Sequence, residues 1–290
     1  MLVGEYLDQY IDAFVRPFRA PNTVACYRRA FQSLPVTVIG TELEQLTGLQ
    51  VQMAINLQAR KHPRAAQLTF ACLSAAFRKG VQLGMLQRSP MVGCQKPAHT
   101  AARTAVLTPL QLQAYIDAAR QERAYPLLLL MATCGLRRGE ALGLRWDRVD
   151  LQSGLLQIDQ QRMRVNHGYQ LRPLKSKASN RVLPLPAPIS EELRLIRVRS
   201  FTGFVVDTTP EALARAHGRV LDRAGLPHVS PHGLRHSMAT AAAAQGCPMK
   251  ILQGILGHSK YELTANLYAD HLSTDAYVPY MTTLAAALMG

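Results

Sequence analysis

Long apolar segments are missing from this sequence. No run approaches the ~18 consecutive apolar residues that a membrane-spanning helix requires, and the chain does not begin with a basic stretch followed by an apolar one, as a secretion signal does. A membrane partner is therefore not expected. The five cysteines are odd in number and scattered, and none forms a CxxC pair or lies beside paired histidines. This spacing argues against a disulfide framework and a metal site, and it predicts reduced thiols in a cytoplasmic protein.

Signatures of nucleotide-driven and metal-driven phosphate chemistry are missing as well. The sequence has no GxxxxGK(S/T) phosphate-binding loop and no carboxylate pair suited to a two-metal nuclease. These absences disfavour ATP-dependent enzymes and metal-dependent nucleases. Neither a cofactor nor a metal ion is expected.

Acidic residues are scarce. The chain has 19 Asp and Glu against 33 Lys and Arg, which leaves a formal charge of +14. An excess of this size implies a polyanionic partner. Nucleic acid and an anionic membrane both qualify, but the sequence lacks a tract made only of Lys and Arg. Nucleic acid is therefore the favoured partner.

The length of 290 residues and a hydrophobic fraction of 48% predict two domains. In residues 1–90 apolar side chains recur every three or four positions, which predicts four helices in a small bundle, the last ending near Gly84. Basic residues within and between these helices predict a surface laid against phosphates, with a merely solvated charged face as the alternative. They are Arg28, Arg29, Arg60, Lys61, Arg64, Arg78 and Lys79.

A linker is predicted over residues 91–107, which lack a sustained apolar period. A helix start follows, with Thr108 as the N-cap, Pro109 in the first turn and Gln111 three residues after the cap. The second domain is therefore expected to cover residues 108–290. Four short extended runs in its middle predict one small antiparallel sheet, and helices surround it. The expected fold class is mainly α with a small antiparallel β-sheet.

Four clusters of phosphate-binding side chains lie in the second domain. In the first, Gly135 ends an apolar helix so that Arg137 can begin the next, with Glu140 three residues on as an orienting carboxylate. An ordinary helix start with an ion pair is the alternative. The second cluster places Lys175 and Lys177 between two predicted strands. This position predicts a lysine at a hairpin tip that can reach into a groove, although most such lysines are only solvated.

The third and fourth clusters contain histidines. His232 and Arg235 are three residues apart, so in a helix they share a face. His236 follows directly and is expected to support packing. His258 lies in a Leu-Gly-His string, and Tyr268 comes ten residues after it. A histidine near neutral pH can exchange protons or donate to a phosphate.

Taken in order, these clusters resemble the tyrosine recombinase family of the phage-integrase kind. The match spans residues 133–268, and the helical first domain resembles the core-binding domain of the family. The resemblance implies a helical core-binding domain over residues 1–90 and a catalytic domain over residues 108–290, together a C-shaped clamp on DNA. Longer integrases carry an arm-binding domain before these two. It is not expected here, because the core-binding pattern starts almost at Met1.

The resemblance also assigns the catalytic roles. Tyr268 is the nucleophile that forms a 3′-phosphotyrosyl bond, and Arg137 and Arg235 are the two forks that hold the phosphate oxygens. Lys175 is the general acid that protonates the 5′ oxygen, with Lys177 as the competing candidate. Because the phosphotyrosyl bond keeps the energy of the broken strand, rejoining requires neither ATP nor a metal ion. This agrees with the missing signatures.

Two further assignments complete the site. His232 fits a general acid or base, or a donor to the phosphate, and His258 fits a further phosphate donor. Tyr261, three residues after His258, is the rival nucleophile. The spacing of the family and the following Ala-Asp-His-Leu string favour Tyr268. Residues 273–290 form an apolar tail, which the family packs into a neighbouring subunit; a terminal helix on its own domain is the alternative.

The function implied by the resemblance is site-specific recombination through a Holliday junction, integrating or excising a phage or other mobile element. The expected partners are double-stranded DNA attachment sites, further copies of the chain in a tetramer, and an accessory directionality factor. The expected location is the cytoplasm, on the nucleoid when bound to DNA. Three alternatives stay open: a recombinase that resolves replicon dimers, relaxation of supercoils as by a type IB topoisomerase, and a DNA-binding regulator without catalysis.

Overall fold

The structure is a computed structural model, and it divides into two compact units, Met1–Ala102 and Arg103–Gly290. Among the described residues, no helix is long and apolar enough to cross a membrane. The described residues are 1–98, 105–165, 168–174, 176–197, 203–259, 261 and 264.

The first unit is helical, as its sequence predicts. The four predicted helices are present, and a short fifth lies between the second and third. A π-helical turn, Ile11–Val15, extends the first helix. The helices are α1 (Val3–Tyr10), α2 (Pro21–Gln32), α3 (Val36–Ile39), α4 (Gly48–Lys61) and α5 (Pro63–Gln82).

Local signals explain where the longest of these helices begin and end. The hydroxyl of Thr47 accepts a hydrogen bond from the backbone N–H of Gln50 at 3.3 Å and caps α4. Pro63 occupies the first turn of α5, where its missing N–H is harmless. Gly84 follows α5 with φ of +72°, the left-handed conformation that ends many helices. The apolar faces then meet in one core that includes Phe77.

The segment assigned to a linker, 91–107, is held at both ends. The backbone N–H of Gln95 donates to the side chain of Gln52 at 2.6 Å, and Cys94 packs against the core of the first unit. Leu107 is 2% exposed and belongs to the core of the second unit. The described residues at its two ends are therefore packed on the units that they adjoin. Hydrogen bonds from polar residues hold its first part, and a search for apolar periodicity does not detect them.

The second unit is mostly helical with short strands, which confirms the expected fold class. Its helices are α6 (Pro109–Ala119), α7 (Tyr125–Thr133), α8 (Arg138–Gly143), α9 (Ala187–Arg197), α10 (Pro210–Arg223), α11 (Pro231–Ala244) and α12 (Met249–Leu256). Its strands are β1 (Val149–Asp150), β2 (Leu155–Ile158), β3 (Gln160–Val165), β4 (Gly168–Pro173) and β5 (Arg181–Pro184).

The strands form two antiparallel sheets in the described part of the chain, where one was expected. The first has the order β1-β2-β5, with Leu156 of β2 opposite Leu183 of β5, and the second pairs β3 with β4. The chain changes sheets at Asp159, between β2 and β3. Because β4 and β5 belong to different sheets, the described residues between them, which include Lys177, do not form the tip of a hairpin.

Helix α7 lies at the centre of the second unit. Its residues from Tyr125 to Ala132 are all buried, as expected for a helix that is apolar on every side. Gly135 follows with φ of +65° and turns the chain, so that α8 starts beside the core. Strand β3 crosses α8 at Gly143, where a Cβ atom would lie 2.7 Å from the backbone nitrogen of Arg162. The turn at Gly135 thus leads into α8, whose last four residues are buried, and the close contact at Gly143 packs the end of the helix against β3.

Candidate active site

Arg137 and Glu140 form the first part of the site. The backbone N–H of Arg137 donates to Oε2 of Glu140 at 2.9 Å, and its Nη1 donates to Oε1 at 2.7 Å. The Glu140 side chain is only 1% exposed. Burial alone would raise the pKa of this carboxyl, but hydrogen bonds and charges from Arg181 and Arg137 outweigh burial and hold the pKa below its usual range. Glu140 therefore stays ionised and orients Arg137, as the sequence analysis expects.

Arg235 is buried in α11, with 1% of its surface exposed. Its Nη1 donates to the carbonyl of Gly135 at 2.6 Å, and its Nη2 donates to the carbonyl of Leu256. Burial, together with the positive charges of Arg137 and Arg181, lowers the pKa of Arg235 to about 9. The guanidinium is still charged at neutral pH. A buried cation under this repulsion is stabilised when an anion binds next to it.

Three consecutive backbone carbonyls at the C-terminal end of α12 bind three arginine side chains. Gly257 adopts φ of +62° after the helix, so the last carbonyls point outwards at the negative end of the helix dipole. Each of the three carbonyls accepts a hydrogen bond from a different guanidinium. The pairs are Ile255 with Arg181 at 2.7 Å, Leu256 with Arg235, and Gly257 with Arg137 at 3.2 Å.

The two predicted site histidines lie against these arginines. His258 directly follows the α12 turn, and its Nδ1 is 2.9 Å from the hydroxyl of Thr264, which is fully buried. Burial and then the charges of Arg235 and Arg137 lower the pKa of His258 to about 4. His232, in the first turn of α11, has its pKa lowered by the same three causes in the same order. Both imidazoles are therefore neutral at pH 7.

His236 lies closer to the site than its expected packing role suggests. Its ring meets the ring of His232 edge-on, with centroids 4.4 Å apart. Its charge also contributes to lowering the pKa of His258. A packing role for His236 stays a prediction.

Four of the six predicted catalytic residues are thus brought together: Arg137, His232, Arg235 and His258. Tyr268, Lys175 and the tail 273–290 lie outside the described residues. Lys177 is exposed at the start of a short 3-10 turn, and the rival Tyr261 is 54% exposed.

Two residues of the site were missed by sequence reasoning, Arg181 and Thr264. Arg181 stands at the end of the lysine cluster, but a basic residue there looks like one more solvated charge. Its partner Glu140 is 41 residues away in the sequence. Thr264 is an ordinary residue in the sequence, and only its distance to His258 reveals it. Neither contact follows from local spacing.

Positive charge exceeds negative charge at this site. In the described residues, Glu140 is the one carboxylate that forms ion pairs with Arg137 or Arg181, and Arg235 forms none. Three guanidinium groups therefore face a single carboxylate. No group of three or more potential metal ligands occurs among the residues the structure describes. The arrangement is suited to binding an anion such as a phosphodiester.

Comparison with known proteins agrees with this chemistry. The sequence profile of the Phage integrase family matches residues 105–274. A tyrosine recombinase XerC-like protein of Caldanaerobacter subterraneus subsp. tengcongensis is 25% identical, over 92% of this chain and 78% of that protein. The transposase from transposon Tn916 of Enterococcus faecalis is 26% identical, over 73% of this chain and 59% of that protein.

Solved structures share the fold over nearly the whole chain. The Tn1549 transposon integrase in complex with a circular intermediate DNA has a TM-score of 0.83 and 19% identity, covering 98% of this chain and 99% of that one. A lambda integrase tetramer bound to a Holliday junction has a TM-score of 0.69 and 18% identity, and the match covers 90% of this chain and 78% of that one. The family profile covers more than half of the sequence, and it includes every cluster described above. The chain therefore belongs to the phage integrase family and is a tyrosine recombinase.

Proposed function

We propose that this site-specific recombinase cuts and rejoins DNA through a 3′-phosphotyrosyl bond to Tyr268 and a Holliday junction, integrating or excising a phage or other mobile element. The observation that carries the proposal is the convergence of Arg137, Arg235, His232 and His258 around the end of α12, with more positive charge than the described residues neutralise. A scissile phosphate supplies the missing negative charge.

In this proposal the two arginines bind the non-bridging oxygens of the phosphate. A guanidinium is planar and permanently charged, so its N–H groups match phosphate oxygens in fixed directions. Arg137 keeps 35% of its side chain exposed, so its outer N–H groups can meet DNA. Arg235 is anchored by two backbone carbonyls, and this pre-orientation favours the charge that builds up on the five-coordinate phosphorus.

The histidines act as neutral hydrogen-bonding groups. When the Thr264 hydroxyl donates to Nδ1 of His258, the imidazole carries its proton on Nε2 and can donate it to a phosphate oxygen. A bound phosphate adds negative charge beside both rings and raises their pKa values. His232 can then take part in proton transfer near neutral pH.

The nucleophile and the general acid are assigned by their positions in the family. Both Tyr268 and Lys175 lie within the matched residues 105–274. A free phenol has a pKa of ~10, so the nearby arginines favour attack by stabilising the phenolate. Lys175 protonates the 5′ oxygen as it leaves. The reverse attack by that oxygen rejoins the strand without ATP.

The proposed partners are double-stranded attachment sites, further copies of the chain and an accessory directionality factor, with action on nucleoid DNA in the cytoplasm. The tetramer of lambda integrase on a Holliday junction supports self-association. The tail 273–290 is proposed to pack into the neighbouring protomer. The relative from transposon Tn916 supports a mobile-element role, and the XerC-like relative keeps resolution of replicon dimers as the alternative. Footprinting the purified protein on DNA that flanks its own gene would identify the attachment site.

A nicked suicide substrate built on that site tests the chemistry. The wild-type chain is expected to accumulate a covalent protein-DNA adduct, and Tyr268→Phe is expected to form none because it lacks the attacking oxygen. Tyr261→Phe serves as the matched control and should form the adduct at the wild-type level. Full adduct formation by Tyr268→Phe would overturn the assignment. Plasmid relaxation without strand exchange would instead indicate a topoisomerase.

A further inference from the structure

Arg181, the first residue of β5, is one of the most tightly held arginines at the site. Its side chain is 6% exposed. Its Nε donates to the carbonyl of Ile255 at 2.7 Å, its Nη1 to the carbonyl of Ser179 at 3.0 Å, and its Nη2 to Oε2 of Glu140 at 2.9 Å. All three nitrogens are therefore engaged by the protein. A group held in this way orients its neighbours and has little capacity left to bind DNA.

Arg181 shares the carboxylate of Glu140 with Arg137. Oε1 accepts from Nη1 of Arg137 at 2.7 Å and from Nη1 of Arg181 at 3.3 Å, while Oε2 accepts from the backbone N–H of Arg137 and from Nη2 of Arg181, both at 2.9 Å. Half of the hydrogen-bonding capacity of Glu140 is thus satisfied by Arg181. Without it, a buried and uncompensated carboxylate would draw the Arg137 guanidinium into a bidentate pair.

Arg181 also fixes the two chain segments beside it. Gly257 lies so close to the segment before β5 that a Cβ atom there would be 3.0 Å from the carbonyl of Ala178 and 3.0 Å from Nη1 of Arg181. The turn that precedes His258 is therefore packed directly on the segment that follows the proposed general acid. The hydrogen bonds to Ser179 and Ile255 join these two segments through one side chain.

We propose that Arg181 is a positioning residue for DNA cleavage, which satisfies Glu140 and fixes the end of α12 so that Arg137 remains free for the scissile phosphate. The inference rests on the proposed function and adds to it a residue that does not touch the substrate. It predicts that Arg181 affects the rate of cleavage and leaves DNA binding nearly unchanged, because binding depends on many other phosphate contacts.

Two substitutions at this position separate charge from geometry. Arg181→Met keeps the length of the side chain but leaves Glu140 half satisfied. It is expected to slow single-turnover cleavage of the suicide substrate ~10- to 100-fold, the range that a misplacement of ~1 Å produces. Arg181→Lys keeps the charge and one hydrogen bond at a time, so its rate should lie between the rate of Arg181→Met and that of the wild type. The Kd of both variants for a half-site should stay within ~3-fold of the wild-type Kd, a change no larger than the loss of about one phosphate contact.

The carboxylate provides a further test through a double-mutant cycle. Glu140→Gln is itself expected to slow cleavage, because a neutral amide orients Arg137 less firmly. In the Glu140→Gln background, however, no carboxylate draws Arg137 inwards. The factor by which Arg181→Met slows cleavage should therefore be several-fold smaller there than in the wild type. Fully additive losses would contradict a role through Glu140 and would leave only a general packing role.

A matched control is available elsewhere in the same unit. Glu122 is a second buried carboxylate shared by two arginines, Arg219 and Arg223, and Arg223 also donates to a backbone carbonyl. Arg223→Met should therefore lower thermal stability, by less than Arg181→Met because the Arg223 side chain is 33% exposed against 6% for Arg181, and it should leave the cleavage rate unchanged. Cleavage by Arg181→Met at the wild-type rate overturns this inference alone, provided that the wild type forms its adduct. Absence of a wild-type adduct would overturn the proposed function instead.

Discussion

The guanidinium of Arg235 donates to the backbone carbonyl of Gly135 at 2.6 Å, joining α11 to the turn between α7 and α8 across 100 residues of sequence. Gly135 has φ of +65°, and it lies two residues before Arg137. This bond therefore links the positions of the two proposed phosphate-binding arginines, each of which has further hydrogen bonds of its own. The geometry of the site depends on a backbone conformation that favours glycine.

Gly135→Ala should lower stability and slow cleavage together. The left-handed conformation costs an alanine ~1–2 kcal/mol, and the new Cβ would lie 2.3 Å from Cε of Met238, which must move. Urea unfolding measures the loss. Gly246→Ala is the control, since Gly246 has φ of +80° and open space around it. It should show the conformational cost alone, and equal losses in both variants would contradict the role of the contact with Met238.

Stability should fall when the pH is lowered from about 6.5 towards about 4. The pKa of His258 drops from 6.5 to about 4 on folding, and the pKa values of His232 and His217 are also lowered, chiefly by burial. In this window the unfolded chain binds more protons than the folded one, so acid favours unfolding. Unfolding in urea at several pH values gives the slope of the free energy of unfolding against pH. His258→Gln should reduce this slope between about pH 6.5 and about pH 4, and an unchanged slope would argue against a depressed pKa for His258.

Local signals in the sequence were sufficient for much of the fold. The capping residues Thr108 and Ser230, each followed by a proline, predict the starts of α6 and α11 where the structure has them. The same holds for the break at Gly135. These features depend on backbone geometry within a few residues, and the side chains that determine that geometry are adjacent in the sequence. The pairing of Arg137 with Glu140 belongs to this group as well.

The features that could not be predicted depend on contacts between distant residues. Pairing of β2 with β5, and not of β4 with β5, is decided by packing, because several short strands have similar patterns. The contact of Arg181 with Glu140 joins β5 to α8 across 41 residues of sequence. Burial changes the chemistry of these groups, and burial is a property of the folded chain.

Tyr115→Phe should destabilise the second unit and disturb the start of α11. The buried Tyr115 hydroxyl lies 2.7 Å from Nδ1 of His217, whose Nε2 lies 2.7 Å from the carbonyl of Val229, two residues before α11. Removing the hydroxyl leaves a buried nitrogen without its partner, a loss of ~1–3 kcal/mol. Tyr169→Phe, which removes an exposed hydrogen bond to Glu211, is the control and should cost much less. Equal free energies of unfolding for Tyr115→Phe and Tyr169→Phe would show that the hydrogen bond from Tyr115 to His217 does not stabilise the second unit.

Deleting residues 273–290 should separate DNA binding from assembly. The proposed exchange of this tail between protomers predicts that a shortened chain binds one half-site normally but no longer brings two sites together cooperatively. Gel-shift titration on half-sites and on full sites measures both properties. Unchanged cooperativity would indicate that the tail packs on its own domain.

The choice between Lys175 and Lys177 can be made by changing the leaving group. A general acid contributes ~10²- to 10⁴-fold to a rate, so Lys175→Ala should cleave an ordinary suicide substrate slowly. When sulfur replaces the 5′ bridging oxygen of the substrate, the 5′ leaving group departs as a thiolate. Because a thiol has a pKa of only ~8.5, far below that of an alcohol, this leaving group needs no proton from the enzyme. Lys175→Ala should then cleave at nearly the wild-type rate.

Lys177→Ala is the matched control, since Lys177 is exposed and lies two residues away in the sequence. It should cleave both substrates as the wild type does. The reverse pattern, with rescue by sulfur only for Lys177→Ala, would assign the general acid to Lys177. A defect in Lys175→Ala that sulfur does not relieve would mean that Lys175 binds the phosphate and does not protonate the leaving oxygen, since only a proton donor becomes unnecessary when the leaving group changes.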